Sequence, residues 1–246
     1  MAEYQNRVRV DGTAIPAIDA GLREYMLRVY NYMLMGLLLT GAVAFAVGNT
    51  ALGAVFFTYN EAVGAFTGPN LLGWAAIIAP IGLVFFLSFR IQTMSLAAAQ
   101  TTFWAYAGLM GISIALILLQ YTATSAARVF FITAATFGAM SLWGYTTKRD
   151  LSGMGSFLFM GLVGIIIASV VNIFLGSTML QFIVSVAGVL VFTGLTAYDT
   201  QKIKESYSIS MDGTAAGKMA VMGALNLYMD FINLFIMLLR LIGDRR

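Results

Sequence analysis

Along most of this chain, apolar residues run in blocks too long and too unbroken to be one face of a soluble helix. A helix on a soluble core carries polar residues along its outer face at helical period. Seven stretches here mostly lack that face: roughly 26–48, 71–90, 94–119, 125–146, 154–176, 179–200 and 219–241. Each offers about the 20 mostly apolar residues that span a bilayer core as a helix. The breaks are short: TGPN, RIQT, KRDLSG and GS stand before the second, third, fifth and sixth stretches. The pattern predicts an all-α integral membrane protein, a seven-transmembrane helix bundle. It divides the chain into an N-terminal tail (1–24), a membrane domain (25–243) and a short C-terminal tail (244–246). No internal repeat or low-complexity tract breaks the series.

Composition sharpens this. Of 246 residues, 60% are hydrophobic and 10% charged, against about 45–50% and 25% in soluble domains. The net charge of +3 is small and dispersed, so nucleic acid is not an expected partner; the lipid bilayer is. The absence of Cys excludes disulfides, thiolate metal sites and Cys nucleophiles. The absence of His removes the commonest pH switch and general base. Any proton sensing therefore falls to carboxylates. Residues 1–24 do not resemble a cleavable signal, because the apolar run after them is too long.

The distribution of Lys and Arg sets the expected orientation. With the N-terminus cytoplasmic, Arg7, Arg9, Arg23, Arg28, Arg90, Lys148, Arg149, Lys202, Lys204 and Lys218 fall inside, and Arg128, Arg240, Arg245 and Arg246 fall outside. The basic C-terminus, LIGDRR, is the misfit, and it leaves open whether the last span crosses fully. Gly108, Gly111, Gly161 and Gly164 read as small-residue packing positions. Pro80, mid-span, reads as a kink.

Polar residues inside the spans are the candidates for chemistry. Asn226, Asp230, Asn233 and Arg240 fall within an arc of about 80° on a helix. Gln181, Ser185, Gly188, Thr196 and Asp199 share one face of the preceding span. Lipid does not tolerate such stripes, so the two faces are expected to meet each other or a wet cavity. Asp230 lies about 16 Å into its span, and Asp199 sits near the cytoplasmic end of its own. If the spans are antiparallel neighbours, the carboxyls meet. Two carboxyls at one site share a proton and titrate as a unit. They can bind a hard cation through their oxygens, or one can pair with Arg90 at the end of the second span. Structural readings stand beside these: a static Asp–Arg tie, a snorkelling Arg90, and interhelical hydrogen bonds from the asparagines.

The segments TAATFGAMSLWGYTTKRDLSGMG (133–155), GLTAYDTQKIK (194–204) and LNLYMDFINLFIMLLRLIG (225–243) resemble the Bax inhibitor-1 family in its bacterial branch, over about Arg23 to Gly243. The resemblance implies a bundle with the last helix central, surrounded by the other six. It implies a pH-sensitive calcium leak set by a di-aspartyl unit, here Asp199 and Asp230, which serve as pH sensor and as cation (metal) ligands. Arg90 is the implied gating salt-bridge partner of the span-six aspartate, paired in one state and released in another. Asn226, Asn233, Ser185 and Thr196 are the expected polar pathway. No cofactor is expected; Ca²⁺ and H⁺ are the implied ions, in a bacterial inner membrane. One departure stands out: some relatives carry a glutamate within the second span, where this chain has Ala79 and Pro80.

Two rival readings bear on function. An intramembrane aspartyl protease needs Gly-x-Gly-Asp in the later span, but Leu227, Tyr228 and Met229 precede Asp230, so no enzyme activity is expected. A retinal protein needs an interior Lys in the last span, and Lys218 lies at its edge. The alternative to transport is a membrane interaction protein that modulates a membrane protease or a stress response through a partner in the membrane.

Overall fold

The computed structural model describes residues 14–62, 64–207 and 212–246, without the side chains of 14–19 and 65. The elements in order are α1 (Ala14–Asn49), α2 (Gly53–Phe56), β1 (Phe57–Asn60), β2 (Ala65–Pro69), α3 (Leu71–Arg90), α4 (Leu96–Leu118), α5 (Ala123–Thr146), α6 (Ser152–Leu175), α7 (Thr178–Ser206) and α8 (Gly213–Ile242). Among the described residues, seven of these helices are long and apolar enough to cross a membrane.

Side-chain caps set where the spans begin. Asn70 Oδ1 accepts from Gly73 N at 3.0 Å, Ser95 Oγ from Ala98 N at 3.2 Å, Thr122 Oγ1 from Ser125 N at 3.3 Å and Ser177 Oγ from Leu180 N at 3.2 Å. Each satisfies one backbone donor that the first helical turn leaves open. Gly176, at φ +59°, ends α6 in the left-handed region, which a residue without Cβ adopts cheaply.

Three boundaries differ from those expected. The helix of the first span begins at Ala14, inside what reads as a tail to residue 24. Polar residues there end the hydropathy signal without ending the helix. For the same reason α7 runs on to Ser206 and α8 begins at Gly213, both beyond their apolar stretches. Between α1 and α3, where only a loop was expected, β1 and β2 pair as an antiparallel hairpin. Gly64, at φ +66°, turns it, and Asn60 Oδ1 accepts from Ala62 N at 2.9 Å.

α8 runs the full length of the bundle. Asp244, Arg245 and Arg246 dock on the α4–α5 connection: Thr122 N donates to Asp244 O, and Arg246 N to Gln120 O, both at 3.0 Å. Arg128 also pairs with Asp244 at 3.0 Å. At the other end, Lys204 Nζ donates to Tyr145 O at 2.8 Å and Lys218 Nζ to Gln92 O at 3.0 Å. The basic residues of the α3–α4, α5–α6 and α7–α8 connections thus gather at the end where α8 begins.

α8 is the most buried helix: 56% of its apolar stretch is buried, against 11–33% for those of the others. It packs against α1, α4, α5 and α7. Close approach depends on small residues at particular places. A side chain at Gly144 of α5 would run into the Ala197 backbone of α7, and one at Gly111 of α4 into Thr40 and Val43 of α1. A side chain at Gly161 would press on Val191, whereas one at Gly108 or Gly164 would enter open space. α3 and α6 pack chiefly on α4 and α7 respectively, and much more loosely on α8 and on each other. The neighbours that pack most closely on it are therefore α1, α4, α5 and α7.

Candidate functional site: a carboxyl pair on a lateral cavity

α7 and α8 run against each other, and Asp199 and Asp230 face across that contact, their carboxyls within hydrogen-bonding reach of one another. A bond between two carboxyls needs a proton, since two carboxylates have only acceptors. Asp230 is 5% exposed, and its Oδ2 is sealed from solvent with no protein donor among the described residues. Asp199 is half-buried. The two acids that the helical spacing singled out are thus brought together.

The surroundings hold α7 and α8 in register. Next to Asp199, Thr200 donates to Thr196 O at 2.7 Å and bonds Ser141 of α5 at 2.9 Å, and Ser141 bonds Tyr30 of α1. On the far side of α8, Tyr228 OH meets Thr40 Oγ1 of α1 at 2.6 Å, and Thr40 donates to Ala107 O of α4 at 2.9 Å. Buried hydroxyls are costly unless bonded, so these chains favour one rotation of α8, the one that aims Asp230 at Asp199.

Both acids line a cavity of about 1230 Å³. α8 forms its back, α4 and α7 its sides, and α3 and α6 its lips. Asn226 and Asn233 lie on the same wall, a turn to either side of Asp230. Pro80, expected as a kink, is on the α3 lip within a continuous helix. Proline has no N–H to give the carbonyl four residues back; Ser113 of α4 supplies a donor to that carbonyl, Ala76 O, at 3.3 Å.

Other expected site residues are placed differently. Ser185 and Thr196 are 1% and 0% exposed and donate within α7 to Gln181 O and Phe192 O, both at 2.8 Å. They lie in the helix packing, not on the cavity, so the polar pathway loses these two members. Periodicity finds the face but not which neighbour covers each part of it. Arg240 leaves the α8 stripe for a separate cleft of about 320 Å³ with Gln181 and Asn172. Arg90 is exposed at the end of α3 and makes no ion pair within 4.0 Å among the described residues. The Arg90–Asp199 tie is therefore not made in this structure, because α3 stands off from α7 across the cavity. The cation acting on Asp199 is Lys202, one helical turn on, with its Nζ 5.6 Å from the Tyr198 ring centroid. An acid followed three residues later by a lysine was a readable signal for this pairing.

The comparisons with known proteins follow the same segments. The family described as Bax1-I, Inhibitor of apoptosis-promoting Bax1, matches residues 22–246. The chain belongs to the Bax inhibitor-1 family. It is 47% identical to the inner membrane protein YbhL of Escherichia coli over 92% of this chain and 94% of that one. It is 47% identical to an uncharacterized protein of Rickettsia prowazekii over 93% and 92%. An uncharacterized membrane protein of Streptococcus pyogenes is 35% identical over 92% and 94%. α3 carries no acid, and Pro80 stands on its stretch of the cavity wall.

Proposed function

We propose that this chain is a pH-sensitive leak for a cation, chiefly Ca²⁺, across a bacterial inner membrane, with its N-terminus in the cytoplasm. The observation that carries the reading is the meeting of two carboxyls from α7 and α8 on a cavity wall, one oxygen sealed and without a donor. With one shared proton the pair is a satisfied tie between the helices. Without it, two like charges face each other, and a cation relieves the repulsion.

The donor set suits passage more than storage. Ca²⁺ takes six to eight oxygens, and no cluster of three or more His, Cys, Asp or Glu occurs among the described residues. Two carboxyls and the amide oxygens of Asn226 and Asn233 leave water to complete the shell. Arg90, when brought across, would compete with the ion for Asp199. The name of the Escherichia coli relative supports the location, and the basic residues gathered at the α8 start support the orientation.

The test is calcium flux into proteoliposomes, followed with a trapped dye across a pH series. Wild type should pass calcium at a rate that changes with pH. The double variant Asp199→Asn, Asp230→Asn should show a flat profile. Equal flux from both at every pH would overturn the proposal.

A further inference from the structure

Arg240 is a charge on the α8 stripe that the carboxyl pair leaves unused. It lies further along α8 than Asp230, by about 15 Å at 1.5 Å per residue, in the last turn of the helix. Asp244, the next acid in the chain, is taken by Arg128 at 3.0 Å. Arg240 itself makes no ion pair within 4.0 Å among the described residues. It lines a cleft of about 320 Å³ with Ser169, Asn172 and Ile173 of α6 and Gln181 and Val184 of α7.

The polar groups of this cleft are donors in want of acceptors. A guanidinium has five N–H groups and accepts nothing. Asn172 Oδ1 already accepts from Ser177 N at 3.0 Å, which leaves the amide NH2 to be satisfied. Gln181 spends its backbone on Ser177 O and on the Ser185 hydroxyl, and its side-chain amide has no partner among the described residues. Ser169 gives its hydroxyl hydrogen to Ile165 O at 2.7 Å. No Asp or Glu lines the cleft. Three helices thus bring a guanidinium and two amides to one opening that holds no counter-charge.

We infer that this cleft binds the phosphate of an anionic phospholipid. The planar fork of Arg240 suits two phosphate oxygens at once, and the amides of Asn172 and Gln181 are at hand for the others. One guanidinium without an acid matches a monoanion, and it repels a cation. The surroundings select a phosphate carried by lipid over a free one. Ile173, Phe174, Leu175 and Met179, which flank the cleft in the chain, are 66–84% exposed, on a surface that acyl chains would cover. A lipid gains contact there that a free ion does not, and basic pockets between membrane helices are a known means of holding lipid heads. The site uses neither the carboxyl pair nor calcium.

Native mass spectrometry of the full chain, released from neutral detergent, tests this. The probe is phosphatidylglycerol, with diacylglycerol as its phosphate-free twin. One phosphatidylglycerol should bind per protein, about tenfold more tightly than diacylglycerol, as one charge-assisted pair provides. Arg240→Gln should remove that preference, and Arg240→Lys, which keeps the charge without the fork, should keep part of it. Gln181→Leu should weaken the lipid several-fold, and it decides the matter if Arg240→Gln does not fold. Arg245→Gln removes a charge that lies over the Tyr121 ring, outside the cleft, and should leave binding unchanged. Inorganic phosphate in large molar excess should leave the lipid bound; displacement would make free phosphate the ligand and overturn the lipid assignment. Equal binding of the two lipids, or an equal loss of phosphatidylglycerol in Arg240→Gln and Arg245→Gln, overturns the site itself.

Discussion

Replace Asp230 with Asn and leave Asp199 in place. The wild-type pair depends on one proton: with it, the carboxyls share a charge-assisted hydrogen bond of about 1.5–3 kcal/mol. Without it, the bond is gone and two charges about 4 Å apart repel by roughly 4 kcal/mol at an effective dielectric of 20. Asp199 is half-buried, so water and Lys202 relieve part of this, which leaves about 2 kcal/mol as the cost of proton loss to the α7–α8 contact. The amide that Asp230→Asn introduces donates to the Asp199 carboxylate with no proton to lose. Wild type should therefore lose stability as pH rises and the shared proton leaves, while Asp230→Asn should not. For a chain of this size, about 2 kcal/mol is roughly 4–8 °C in Tm. Tryptophan-fluorescence melting in detergent, at a series of pH values from acid to alkaline, reads this directly. If the two melting profiles run parallel across the series, the proton is not held between these two side chains and the sensor loses its chemistry.

The packing makes further predictions. Gly144→Val drives a side chain into the Ala197 backbone and should cost about 1–3 kcal/mol, seen as a lower Tm; Gly108→Ala, which faces open space, should change little. Ser113→Ala removes the donor to Ala76 O behind Pro80 and should cost about 1 kcal/mol; a Tm within error of wild type would show that water replaces the serine. Arg128→Ala breaks an ion pair whose side chains are 56% and 67% exposed and should cost no more than about 1 kcal/mol, a loss that added salt reproduces in wild type.

What could be read without coordinates follows from which forces are local. The seven spans were legible because the bilayer demands about 20 apolar residues in a row. The Asp199–Asp230 meeting was legible because helical period fixes a face and lipid forbids an ionisable one. The hairpin at Phe57–Pro69 was not, since its short strands lie in a stretch without clear alternation. Nor were the polar ends of α1, α7 and α8, where hydropathy marks the membrane and not the helix. Ser185 and Thr196 share the Asp199 face yet end in helix packing, because a face becomes a cavity wall only where no neighbour covers it. Arg90 makes no such pair here for a related reason: sequence suggests a similar depth, but where the side chain ends up is set by how α3 packs.

The cavity itself follows from one conflict between composition and packing. α3 and α6 are the two most apolar spans. The side of α8 they would cover carries Asn226, Asp230 and Asn233. Packing hydrocarbon directly on three polar side chains would leave them without partners, at a cost of roughly 1–3 kcal/mol each. α1 and α5 meet α8 on its apolar and aromatic side and pack closely; α3 and α6 gain more from lipid on their outer faces and from α4 and α7 on their flanks. They stand apart, and the opening lies over the two acids. Filling the polar face with hydrocarbon, as Asn226→Leu with Asn233→Leu, should remove the reason for the gap. The expected result is a more heat-stable protein with slower calcium flux. Unchanged flux from a stabilised variant would mean that the opening over the acids is not the route.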